Sequence, residues 1–264
     1  MTFHPASRQS TWRAIALSAW RRPTDPTVYG MLDVDVSRAL AYLEQFDAPK
    51  VTLTHLVGKA VGLAIADCPS VNAIVRRGRL YTRDRVDVFF QVAYERGENL
   101  SGAKIEAIDR KPLSDIAREL ADTAAGIRAH REHKLSRSDA LLGRLPAPLR
   151  TSALRAVETA VYDWGLDLSR FGVPNDAFGS AMVTNVGVFG LPHAFAPLVP
   201  FSRVPIIVTV GAVRQAAVVE NDQLVIRPVL PIGVTLDHRV LDGYQAGKLA
   251  RRFQEVLSDP QGCA

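Results

Sequence analysis

The sequence predicts an α/β fold, a two-layer sandwich in which a mixed β-sheet carries helices mainly on one face. Three observations lead there. Strand-like and helix-like stretches alternate along the chain, but without the strict strand–helix–strand rhythm of a dinucleotide-binding sheet. The C-terminal part is a succession of short strands and turns. At 264 residues, with 47% hydrophobic and 22% charged content, the chain can bury a sizeable core as one large domain and has an ordinary globular composition.

Taken in order, residues 10–20 have helical spacing, with Trp12, Ile15, Ala16 and Ala19 on one side, and Pro23 and Pro26 end that run. Residues 28–36 alternate as a strand, and Ser37 opens a helix to about Phe46. After a turn at 47–50, Thr54 caps a strongly apolar helix to Asp67, with Leu56, Val57, Ala60, Val61, Ala64 and Ile65 inward. Short strands follow over 71–75, 79–82 and 86–94, then a loop over 97–102 and a further strand over 104–108. Pro112 begins a long helix over 113–133. From 136 to 178 the character changes to helical pieces with Pro146, Pro148, Tyr162, Trp164 and Phe171. The C-terminal part reads as strands over 180–185, 206–213, 215–220, 223–228 and 230–236, with Asn221-Asp222 as a hairpin turn. An amphipathic helix from Tyr244 to Leu257 ends the fold.

The composition also narrows the function. No apolar run is long enough to cross a bilayer, and the N-terminus lacks the cationic start and apolar stretch of a signal peptide. Cys68 and Cys263 stand far apart and build neither a disulfide framework nor a metal site, so a reducing cytoplasm is the expected setting. The net charge of +5 and a pI near 9.4 suit an anionic partner, a phosphorylated cofactor or an acidic carrier, and are too small to argue for nucleic acid. The densest basic run, residues 76–85, lies between two strand-like stretches. It reads either as a hairpin with a solvated face or as an anion-binding element.

The most informative stretch is Leu236-Asp237-His238-Arg239-Val240-Leu241-Asp242-Gly243. A strand precedes it and a helix follows, so His238 sits where a strand ends, close to a tight turn. A rigidly held imidazole there can take a proton from a nucleophile; a histidine satisfied within the turn is the plain alternative. The second stretch, residues 179–190, is a strand ending in Thr184-Asn185 and then a glycine-rich turn containing Gly187. A hydroxyl at that strand end can donate into a cleft, and the glycines allow close backbone approach.

These two stretches resemble the DHRxxDG and TISNLGxxG signatures of the dihydrolipoyl acyltransferase cores of 2-oxoacid dehydrogenase complexes, a family that shares its fold with chloramphenicol acetyltransferase. Phe195-Ala196-Pro197-Leu198 is similar to the family's FxPI, residues 26–36 to its first strand ending in EVDVT, and residues 67–73 to its hPxlNa segment. Trp12-Arg13-Ala14-Ile15-Ala16 falls where the family has RKxIA. Trp12 replaces the first basic residue, and Arg13 is the candidate to take over its contact.

The resemblance implies acyl transfer from a coenzyme A or carrier thioester to a thiol, hydroxyl or amine. His238 would be the general base, Thr184 the oxyanion donor, and Asp242 a residue that holds the turn or pairs with an arginine. Asn185, Gly187, Phe195, Pro197 and Arg13 are the implied substrate- or cofactor-binding residues. It also implies a homotrimer with active sites at subunit interfaces, and no bound metal or redox cofactor. Three departures stand out. The chain reads as a single catalytic domain over 1–264, with no lipoyl domain, peripheral-subunit-binding domain or Ala/Pro-rich linker. Residues 98–105 replace the family's GLVVPV. The segment at about 136–178 is a helical insertion, open to readings as a lid, an acyl pocket, a membrane-surface contact or plain packing. The expected activity is therefore a coenzyme A-thioester-dependent acyltransferase. A non-catalytic trimeric scaffold, and a transferase acting on a lipoyl domain carried by another chain, are the competing readings.

Overall fold

The computed structural model describes residues 25–94, 99–131, 146–171 and 175–263. The helix expected over 10–20, with Arg13, lies outside these residues. Nine strands and five helices organise the described chain. Strand β1 (Thr27–Asp35) leads into helix α1 (Ser37–Leu43), and helix α2 (Leu53–Ala66) follows. Strands β2 (Ala73–Arg76) and β3 (Arg79–Thr82) form a separate antiparallel hairpin. Then come β4 (Val88–Tyr94), β5 (Asn99–Ile105), α3 (Leu113–Arg131), α4 (Ala147–Glu158), β6 (Ala181–Asn185), β7 (Ile206–Val210), β8 (Arg214–Glu220), β9 (Gln223–Asp237) and α5 (Gly243–Ser258).

The main sheet runs β1-β9-β7-β6-β4-β5, and β8 pairs with the first half of β9. The pairs β4/β6 and β6/β7 are parallel and the others antiparallel, so the sheet is mixed as the sequence predicts. One core holds the layers together. Leu56, Val57, Val61 and Ile65 of α2, Ile116 of α3 and Phe253 and Leu257 of α5 pack on Val88, Val183, Val208 and Ile232 of the sheet. Burying each such side chain stabilises the fold by about 1.5–3 kcal/mol. The opposite face carries a smaller cluster. Met182, Val204 and Ile207 lie under Phe89, Phe178, Ala196 and Leu198, so the segment around 194–204 roofs this side. The Thr209 hydroxyl stitches that roof down by donating to the Ala194 carbonyl.

Several boundaries differ from the sequence reading, each for a physical reason. Residues 99–102, expected as loop, belong to β5, with Asn99 opposite Tyr94. Gly102 suggests a turn in sequence, yet it lies in the strand where a Cβ would come 2.2 Å from the Phe89 ring. The strand expected over 104–108 stops at Ile105, because Ala107 takes a left-handed φ of 48° and donates its N–H to the Asp87 carboxylate at 3.0 Å. The two strands expected over 223–236 are one. Pro228 and Pro231 fit extended backbone, and their carbonyls still accept from Val36 and Gly211. Strand β7 ends at Val210 rather than 213. Helix α2 starts one residue before Thr54 and is capped at Thr52, where the Thr52 N–H donates to His55 Nδ1 at 3.2 Å. Within the segment expected to be an insertion lie α4 and a wide helical turn over Thr159–Asp163. No helix among the described residues is long and apolar enough to cross a membrane.

Candidate active site

His238 follows the last residue of β9, and its backbone N–H donates to the Pro26 carbonyl at 2.9 Å. Its Nδ1 lies 3.1 Å from the Leu241 carbonyl oxygen. A carbonyl only accepts, so Nδ1 carries the proton and Nε2 keeps its lone pair. The imidazole is thereby fixed in tautomer and tilt while the residue remains exposed. Its neighbours form a brace: the buried Asp237 carboxylate accepts from the Arg239 backbone N–H at 3.0 Å and from its guanidinium at 2.7 and 2.9 Å. Hydrogen bonding to Asp237 also pushes the Arg239 guanidinium above its ordinary pKa.

Asp242 makes neither of these contacts. It is the N-cap of α5, accepting from Tyr244 N–H at 2.8 Å, while Gln245 reaches back to the Asp242 N–H at 3.0 Å. This reciprocal box fixes where the helix starts, and so how the Leu241 carbonyl faces the imidazole. Of the two roles expected for Asp242, holding the turn is the one seen. The arginine of the octet pairs with Asp237 instead.

Thr184 sits on β6 between Gln91 of β4 and Thr209 of β7, facing away from the helices with Met182. Among the described residues its hydroxyl has no hydrogen-bond partner, so it is free to donate. The chain does not bring it to His238. Thr184 shares a row with Thr209 and Gly233. Along β9, His238 lies five residues past Gly233, roughly 17 Å at about 3.4 Å per residue, and β6 lies two strands over, about 10 Å across the sheet.

The remaining candidates divide. Asn185 donates from Nδ2 to the Thr54 hydroxyl at 2.8 Å and accepts from Val188 N–H at 3.3 Å, so its amide ties β6 to α2. Gly187 is packed so closely that a Cβ would lie 2.5 Å from the Gly211 carbonyl oxygen, which makes it a requirement of the turn. Phe195 meets Tyr29 edge-on, with centroids 5.1 Å apart. Pro197 lines a cleft of about 280 Å³, shared with Tyr29, Val75, Arg203, Asp237 and Arg239, at the His238 end of the sheet. Arg13 lies outside the described residues. His193, close after the turn that holds Gly187, is exposed.

Two residues went unnoticed in the sequence. Arg203 bridges Glu158 at 2.6 Å and Asp163 at 3.2 Å and donates to the Val75 carbonyl at 2.9 Å, clamping the end of α4 and the turn after it to the cleft wall. His55, next to Thr54, is buried enough that its pKa falls to about 4.

The family described as 2-oxoacid dehydrogenases acyltransferase (catalytic domain) matches residues 8–142 and 174–264. The chain belongs to this family. Residues 143–173, which include α4 and the turn after it, lie outside the match. A relative within this acyltransferase family is the lipoamide acyltransferase component of the branched-chain alpha-keto acid dehydrogenase complex of Bacillus subtilis (strain 168). It is 22% identical over 253 residues, covering 93% of this chain and 50% of that protein. The chain spans about half the length of the curated relatives it matches. Among solved structures, a probable dihydrolipoamide acetyltransferase from Listeria monocytogenes 4b F2365 superposes with a TM-score of 0.66 at 18% identity, covering 97% of this chain and 94% of that one. A truncated catalytic core of the 2-oxoacid dehydrogenase multienzyme complex from Thermoplasma acidophilum gives 0.61 at 20% identity, covering 98% and 100%. Both likenesses establish the acyltransferase-core fold.

Proposed function

We propose that this protein transfers an acyl group between a coenzyme A thioester and an acceptor thiol, with His238 as general base and Thr184 as oxyanion donor. The observation that carries the reading is the aim of His238 in a chain of this family: Nδ1–H is committed to the Leu241 carbonyl, and Nε2 is left as the base. The acceptor thiol gives its proton to Nε2 and its sulfur attacks the thioester carbonyl. The Thr184 hydroxyl donates to the oxygen that becomes negative. The tetrahedral adduct then collapses, the bond to the departing sulfur breaks, and that sulfur takes the proton back from the imidazolium. Relatives named for lipoamide and dihydrolipoyllysine residues support a dihydrolipoyl thiol as the acceptor.

The wide separation of His238 and Thr184 within one chain supports a site shared between copies, His238 from one and Thr184 from the next. A closed trimer, with one such site at each interface, meets that need. In this reading residues 143–173 are an insertion on a single catalytic domain, and Pro197, Phe195 and Arg239 flank the substrate. Arg13 remains a candidate for the contact of the family's basic residue. The setting is the cytoplasm, where a dithiol acceptor stays reduced. A scaffold without chemistry has no use for a base held in one tautomer or for an unpartnered hydroxyl.

The test is coenzyme A release from acetyl, succinyl and branched-chain acyl donors, with and without dihydrolipoamide, on the wild type and on His238→Ala. The expected result is acceptor-dependent release that falls by about 10²–10⁴-fold in the variant at unchanged melting temperature. Equal release from both proteins would remove His238 from the chemistry.

A further inference from the structure

The layer between the helices and the sheet is not filled at one end. A cavity of about 260 Å³ lies there, bounded by α5, α2 and the strands β1, β9 and β7. Its size follows from the sequence. Where a packed layer would carry branched side chains, this chain has Gly30 on β1, Ala64 on α2, and Ala246, Gly247 and Ala250 on α5. A Cβ added at Gly30 or at Gly247 would meet nothing within 4 Å. Glycine in the middle of a strand or helix weakens it, and in a strand it often marks the close approach of a ligand. Leu32 and Leu249, which pack against the core beside the gap, stay only partly buried. Protein interiors hold few voids larger than a water molecule.

The lining and the position say what fits. Every residue that lines the cavity is apolar or glycine. A charged or strongly polar group would lose its hydration there without gaining a partner. An engineered apolar void of about 150 Å³ stays dry and accepts the six carbons of benzene, so about 260 Å³ takes an aliphatic chain of roughly eight to ten carbons. One end of the cavity is the octet itself. Its first residue, Leu236, lines the wall, and so does Ala246, whose N–H donates to the Asp242 carbonyl at 2.9 Å. His238 lies in the turn between them.

We infer that this cavity holds the hydrocarbon chain of the acyl group being transferred, so that the donor is a medium-chain acyl thioester. The inference rests on the acyl-transfer reading. The chain enters at the octet turn, with its carbonyl left beside His238, and runs along β9 past Val234 toward Ile232. The chemistry at the carbonyl is the same for every donor. The cavity selects among donors by the CH₂ groups it removes from water.

The experiment titrates wild type, Gly30→Leu and Ala250→Leu by calorimetry with unbranched acyl-CoAs from acetyl to decanoyl and with succinyl-CoA. It also measures kcat/KM for the same donors with dihydrolipoamide as acceptor. In the wild type the Kd falls by roughly fourfold for each CH₂ removed from water, up to the length the cavity holds, and succinyl-CoA gains nothing over acetyl-CoA. Each variant fills the cavity. The preference for octanoyl over acetyl, in affinity and in kcat/KM, therefore falls by roughly tenfold or more, while the melting temperature holds or rises. A series that is flat from acetyl to decanoyl in the wild type overturns the inference, whether residues 1–24 or a second copy then cover the gap. So does a variant that weakens every donor alike. So does free octanoate that binds without displacing octanoyl-CoA, which would make the cavity a separate fatty-acid site. If the wild type turns over no donor, the acyl-transfer reading fails, and the Kd series still decides whether the cavity holds the chain.

Discussion

Asp237 and Arg239 hold the backbone on either side of His238, while Leu241 holds the ring itself, so the imidazole proposed as the base is positioned by three residues within its own octet. Thr184 differs, since its hydroxyl makes no bond within the described chain. Thr184→Val keeps the β-branched shape and removes only the donor. It should lower kcat about 10²–10³-fold while leaving the melting temperature in place; a loss of stability instead would make the hydroxyl structural. His55 offers a pH test. Its folded pKa of about 4 lies below the ordinary 6.5, so the unfolded chain takes up the extra proton between those values. The contribution is complete above pH 6.5 and is lost as pH falls to about 4, by up to about 3 kcal/mol. Urea midpoints across pH 4–7 should therefore drop further for wild type than for His55→Asn, and parallel curves would contradict this. At this scale the DHR octet was legible because a strand, a turn and a helix start within eight residues constrain each side chain. The partner of Arg239 was not, since Asp237 and Asp242 both lie within reach in sequence and only the helix start separates their roles. His55 gives no sequence signal, because its burial depends on what α2 packs against.

Helix α5 begins at a box whose two halves are Asp242 and Gln245, and the helix start sets the carbonyl that orients the His238 imidazole. Asp242→Ala should cost about 1 kcal/mol of stability, measured by denaturant unfolding, with a smaller effect on turnover than His238→Ala. A turnover loss equal to that of His238→Ala would give Asp242 a direct part in the chemistry. Gly187→Ala should destabilise the turn after β6 whatever substrate is present, because its Cβ would run into the Gly211 carbonyl oxygen. A stable variant with raised KM would return Gly187 to substrate binding. Elements with clear periodicity, such as α2 and β1, were legible in sequence. Residues 99–102 were not, because polar residues and a glycine look like a loop until β4 supplies the partner strand and Phe89 the reason for the glycine.

Over the whole molecule, the mixed sheet with helices on one face followed from the order of strand and helix signals, and the family resemblance was carried by the same two motifs that hold His238 and Thr184. Sequence spacing alone could not tell on which end of the sheet each would fall. Strand β9 runs antiparallel to β6 and β7, so the end of β9 and the end of β6 point opposite ways. That topology keeps His238 and Thr184 apart within one chain, and the proposed mechanism then needs the assembly to bring them together. The most direct test mixes two inactive proteins, His238→Ala and Thr184→Val, by co-expression or by unfolding and refolding together. If each site takes His238 from one copy and Thr184 from another, about a quarter of the sites in a random equal mixture regain both groups, and activity should return to about that fraction of wild type. A mixture no more active than its two parents would contradict a shared site and the mechanism built on it.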